Sequence, residues 1–127
     1  MNSLDANVIL RFLLNDLPAQ SARSKRLIVS SQCYASVVVL TEVVLVLEKL
    51  YGYTRPDSAA LVKQLISLQT VACNESIIEP ALDLFTRKKQ LSFPDCYAVV
   101  EASLSGDSLR TFDKELVKHG GSHVSEP

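Results

Sequence analysis

Residues 37–47 read VVVLTEVVLVL, an apolar run broken only by Thr41 and Glu42. Its β-branched content favours a strand by propensity, but its length does not. With Ser36 as an N-cap, the pattern continues through Glu48, Lys49 and Leu50 to Gly52, some 16 residues against the roughly 5–6 of an ordinary strand. A buried helix is therefore predicted. The run is far short of the ~20 apolar residues that cross a bilayer. Glu42 sits at its centre, where an unpartnered buried charge costs several kcal/mol. Its own helix offers no cation before Lys49, so the carboxylate is expected to turn toward the interior or a cleft. There it would meet either a buried Arg or Lys, or a bound cation shared with other acids.

The rest of the chain alternates short strands with helices. A very short first strand ends at Leu4–Asp5, and Ala6–Leu14 follows with Val8, Ile9, Phe12 and Leu13 on one helical face. NDLP, residues 15–18, starts a second helix that carries Arg23, Lys25 and Arg26 to about Val29. Helices are expected over 56–68 and 75–89, with a strand over 70–73 between them. SFPDCYAVVEASL, residues 92–104, opens with a cap, an early proline and an acid, the signature of a helix start. SLRTFD, residues 108–113, reads as a strand ending in an acid, with a helical turn beyond it and a last strand near His123 and Val124. Such alternation implies an α/β fold with a parallel sheet of four or five short strands, flanked by helices on both faces. Ligands of such sheets sit beyond the carboxyl ends of the strands.

Asp5 and Asp113 fall at such ends, and Asp95 lies in the first turn of a helix. Singly, each has a plain structural explanation: Asp5 and Asp113 as helix caps, and Asp95 as an acid favoured by the helix dipole at roughly 0.3–1 kcal/mol. Together with Glu42 they form a possible four-carboxylate pocket. Such acids repel until a divalent ion neutralises them, and oxygen donors without His or Cys suit Mg²⁺ or Mn²⁺.

Composition excludes several classes. At 127 residues and 47% hydrophobic content the chain suits one domain, residues 1–127, with its own core. A formal net charge of −1 gives no overall basic signature of nucleic-acid or membrane binding. Cys33, Cys73 and Cys96 are odd in number and lie among apolar neighbours, which predicts buried thiols in a reducing cytosol. No CxxC pair supports a structural zinc. His119 and His123 lie in a polar C-terminal stretch and are expected to face solvent. There is no signal-peptide pattern, no glycine-rich phosphate loop, and no His base near a Ser or Cys nucleophile. A cytoplasmic protein without a membrane segment is expected.

Four segments, LDANVILRFL (4–13), LTEVVLVLEKLYG (40–52), FPDCYAVVEA (93–102) and TFDKEL (111–116), resemble in order and spacing the PIN-domain nucleases. They look most like the VapC-type toxins of bacterial toxin–antitoxin pairs. The resemblance spans essentially the whole chain. It implies a PIN-like single domain whose acidic pocket binds Mg²⁺ or Mn²⁺ and hydrolyses phosphodiester bonds in RNA. Asp5, Glu42, Asp95 and Asp113 match the family's acids. Asn7 matches the amide supporting the first Asp, Thr41 the hydroxyl residue before the Glu, and Thr111 the residue orienting the turn of the last acid. The chain departs from the pattern in its polar first strand, MNS, and in Cys96, where Ala is commoner. The implied partners are an RNA substrate, a cognate antitoxin protein and a second copy of the chain. Arg11, Lys88 and Lys89 are candidates for steering the RNA backbone.

Two other classes compete. A haloacid-dehalogenase-type phosphatase also starts with an Asp after a strand, but needs an Asp two residues on; Asn7 cannot donate that proton. A PIN nuclease with a housekeeping role, or a non-catalytic α/β interaction module whose acids are caps and surface charges, completes the alternatives.

Overall fold

The computed structural model describes all of residues 1–127. In chain order the elements are β1 (Asn2–Ser3), α1 (Ala6–Leu14), α2 (Pro18–Ser30), β2 (Cys33–Tyr34), α3 (Val37–Lys49), α4 (Arg55–Ile66), β3 (Val71–Ala72), α5 (Glu75–Arg87), α6 (Phe93–Ser105), β4 (Leu109–Arg110), α7 (Lys114–His119) and β5 (Val124–Ser125). All strand pairs are parallel, in a three-stranded ladder β1-β2-β3 and a two-stranded ladder β4-β5. The chain divides into two compact units, Met1–Glu75 and Ser76–Pro127.

In the first unit, length prevails over β-propensity: residues 37–49 are helical, with the Ser36 hydroxyl accepting from the Val39 N–H at 3.3 Å. Leu40, Val43, Val44 and Leu47 are buried, and α3 packs against α1 and α4. From α1, Ile9 and Leu10 join this core, and from α4, Val62 and Leu65. The strands add little area. Asn2 pairs with Cys33 and Ser3 with Tyr34, and Cys33 and Tyr34 pair in turn with Val71 and Ala72. The Leu4 N–H still donates to the Tyr34 carbonyl at 2.9 Å, so the ladder reaches the residue before Asp5. β2 carries no signal in the sequence: two residues, one buried and one exposed, show no periodicity. Asn15 ends α1 in the left-handed region (φ 50°), a conformation that asparagine tolerates better than most residues.

In the second unit, Phe85 and Phe93 meet edge to face with ring centroids 6.1 Å apart, joining α5 to the start of α6. Ser92 and Asp95 form a reciprocal capping box. Gly106 closes α6 with φ 73°. His119 and His123, expected in solvent, are half-buried. The His123 Nε2 lies 2.9 Å from the Val99 carbonyl and the His119 Nε2 lies 3.4 Å from a Glu115 carboxylate oxygen, so each ring has a local polar partner that holds it against the unit. All three cysteines are free; Cys33 and Cys96 are buried, whereas Cys73, just beyond β3, is only half-buried. No helix is long and apolar enough to cross a membrane.

Gly120 has ordinary dihedrals, but a Cβ there would stand 2.6 Å from the Leu116 carbonyl oxygen and 2.8 Å from the Val124 Cγ2. The close approach of α7 to β5 therefore requires glycine for space, not for conformation. Gly120→Ala is expected to cost about 1–3 kcal/mol, seen as a lower urea midpoint, while Ser122→Ala at an exposed position leaves the midpoint unchanged.

Candidate functional site

Asp5 occupies the N-cap position of α1, with φ −87° and ψ 161°, yet its side chain makes no capping hydrogen bond. Its carboxylate is exposed and without a hydrogen-bond partner. The cap explanation, the stronger one for Asp5 taken alone, is therefore not realised. Asp113 is different. It N-caps α7 through Oδ1, which accepts from the Glu115 N–H at 2.9 Å and the Leu116 N–H at 3.1 Å. Its own N–H donates to Thr111 Oγ1 at 3.0 Å, so the threonine shapes the turn that presents the acid. Asp95, half-buried, accepts from the Ser92 N–H through Oδ2 at 3.1 Å. Each of these two acids uses one oxygen in its cap and makes no hydrogen bond through the other.

Glu42 corrects an expectation. It is exposed, and no ion pair holds it. The reason is register: Leu40, Val43, Val44 and Leu47 face the core. Val38, Glu42, Leu45 and Lys49, spaced at i, i+4, i+7 and i+11, share the opposite, exposed face. Val38 is 76% and Leu45 54% exposed. Apolar sequence neighbours thus flank Glu42 without burying it. Thr41 Oγ1 donates back to the Val37 carbonyl at 2.8 Å, a bond within the helix.

The acids are shared between the units: Asp5 and Glu42 in the first, Asp95 and Asp113 in the second. Nowhere in the structure do three His, Cys, Asp or Glu side chains stand close enough together to hold a metal ion. The donor chemistry nonetheless fits a hard cation, since the four carboxylates retain free oxygens and bring no sulfur or imidazole.

The cations are placed as follows. Arg11 Nη2 donates to the Tyr51 hydroxyl at 3.1 Å and Nη1 lies 3.5 Å from Asp16 Oδ2. Its buried Nε–H has no partner, a situation that costs roughly 1–3 kcal/mol. Lys88, half-buried, and Lys89, exposed, follow the end of α5, where positive charge complements the helix dipole. Between α1 and α2 runs a groove of about 490 Å³, bordered by Asn7, Arg11, Gln20, Arg23 and Ser24 with Val8 and Leu27. The sequence signal for it was the spacing 20, 23, 24, 27, one helical face, but no residue-type motif marks it.

The PIN domain family model matches residues 3–121. The chain belongs to the PIN domain family. Comparison with curated proteins and with solved structures returned no match. PIN domains are in general metal-dependent nucleases acting on nucleic acids, and the α/β arrangement with short parallel strands is that of the family.

The contrast between Asp5 and Asp113 is testable without any substrate. Asp113→Ala removes two capping bonds and is expected to destabilise by about 0.5–2 kcal/mol. Asp5→Ala removes none and should change stability by less than about 0.5 kcal/mol in the same urea titration.

Proposed function

We propose that this PIN-domain chain is a metal-dependent endoribonuclease toxin of the VapC type, acting in the cytoplasm and neutralised by a cognate antitoxin. What supports the reading most is Asp5: an acid at the start of α1, just beyond β1, whose carboxylate has no structural task. Glu42, exposed and unpaired on α3, supports it in the same way. Three free cysteines accord with a reducing compartment.

In this reading Asp5, Glu42, Asp95 and Asp113 hold Mg²⁺ or Mn²⁺. The ion, when bound, supplies neutralisation of charge on the scissile phosphate and a more acidic water for in-line attack. The chain's own contribution is positioning. The caps that Asp95 and Asp113 form fix their carboxylates in one orientation, each with a second oxygen to offer. Thr111 secures the turn before Asp113, and Asn7, in the first turn of α1, supports the side of Asp5. Arg11, anchored by Tyr51 and Asp16, offers a fixed positive charge to the RNA backbone, joined by Lys88 and Lys89.

The antitoxin reading draws on the exposed face of α3. Val38 and Leu45 leave apolar surface suited to a partner helix or to a second copy of the chain. An Arg on the partner would pair bidentately with the acids and compete with metal. A second reading, a non-catalytic interaction module, is favoured by one observation: Asp95 and Asp113 are both explained as caps.

Incubating pure protein with total cellular RNA and Mg²⁺, Mn²⁺ or EDTA separates these. Cleavage is expected with either metal, none with EDTA, and none in Glu42→Gln, whose circular dichroism should match the wild type. Retained cleavage in Glu42→Gln removes that residue from the site, and no cleavage under any condition favours the interaction module. In cells, expression of the wild type alone should arrest growth and Asp5→Asn should not. Normal growth with abundant folded wild type argues against the toxin role and for a housekeeping nuclease.

A further inference from the structure

We infer that the groove between α1 and α2 is a nucleotide subsite that holds one phosphate and the adjoining ribose and base of single-stranded RNA, next to Asp5. The inference deepens the nuclease reading and rests on it for the identity of the ligand. Four observations carry it. The groove's volume, about 490 Å³, lies in the range of small-molecule pockets, roughly 300–1,000 Å³. Its lining carries two arginines and no acid, although the chain as a whole has a net charge of −1. Arg11 shares its charge with Asp16, so Arg23 supplies the uncompensated positive charge that an anion in the groove would meet. Arg23 makes no ion pair or hydrogen bond, and Arg11 keeps an Nε–H without a partner after spending its terminal nitrogens on Tyr51 and Asp16. The remaining lining is what a nucleotide needs besides phosphate recognition: Val8 and Leu27 offer apolar surface, and Asn7, Gln20 and Ser24 offer donors and acceptors.

The placement follows from helix periodicity. Asn7 and Arg11 are four apart on α1, and Gln20, Arg23, Ser24 and Leu27 recur at three, four and seven on α2. Each helix thus turns one face to the groove, and Asn7 begins it two residues after Asp5. A strand whose scissile phosphate lies at Asp5 would lay a flanking nucleotide along that face.

The test uses the full-length chain and a 5′-fluorescein-labelled ten-residue oligouridylate in EDTA, read by anisotropy over a salt series. Arg23→Ala is expected to weaken binding about tenfold and to reduce the slope of log affinity against log salt by about 0.7. Arg23→Lys should recover most of both, and Arg26→Ala, on the same helix but outside the groove, should stay within twofold. Binding by Arg23→Ala within twofold of wild type, with an unchanged slope, overturns the subsite. So does capture of a ten-residue polyglutamate peptide by an Arg23-dependent contact while RNA binding is unaffected, which assigns the groove to a protein partner. Because binding is measured without metal, the two readings fail separately. Absence of cleavage under all conditions refutes the nuclease and leaves an Arg23-dependent RNA site standing, whereas cleavage with Arg23-independent binding refutes the subsite alone.

Discussion

Burial of one face of α3 is the interaction on which the first unit depends. Its three strands are each two residues long, so ladder hydrogen bonds alone hold very little backbone in place. Leu40, Val43, Val44 and Leu47 are instead sealed against α1 and α4, at about 1.5–3 kcal/mol for each large apolar side chain removed from water. The same burial fixes the rotation of α3. With four apolar residues facing inward, Glu42 has one place to go, and it is the surface. The position of Glu42 is thus set by residues that have no chemistry of their own.

Parallel pairing supplies the second constraint. In a parallel ladder the chain leaves every strand at the same edge. β1, β2 and β3 therefore deliver Asp5, Ser36 and the residues after Ala72 to one edge of the three-stranded ladder. Helices start there, and helix N-termini present free N–H groups and positive potential. Ser36 uses that position to cap α3. Asp5 stands at the equivalent position on α1 and does not cap, so its charge remains available at a helix terminus that favours negative groups. The first of these side chains is spent on folding, and the second makes no capping bond.

Much of this was legible in the sequence, for reasons that can be named. Ala6–Leu14 carried clear periodicity and forms over those residues, and Ser92 with Asp95 announced a capping box that is present in full. The length of the 37–52 pattern correctly outweighed its β-branched composition. Three things were not legible. β2 is too short to show a period. The exposure of Glu42 depends on which helical face finds a core, and a segment apolar all round hides that choice. The groove between α1 and α2 arises from two helices meeting, and single-helix patterns describe only its separate walls. The cap at Asp5 shows the opposite error: residue type and position both favoured capping, yet the side chain makes no such bond.

The central proposal is that Asp5, Glu42, Asp95 and Asp113 together hold one or two divalent ions. Amide ¹H–¹⁵N spectra of the labelled protein during addition of substoichiometric Mn²⁺ test it most directly, because the paramagnetic ion broadens only signals near where it binds. The account predicts selective loss of amide signals around all four acids, while those around Asp57 and Asp83, exposed acids on α4 and α5, stay sharp. Broadening spread evenly over the exposed acids, or confined to one of the four, would contradict it.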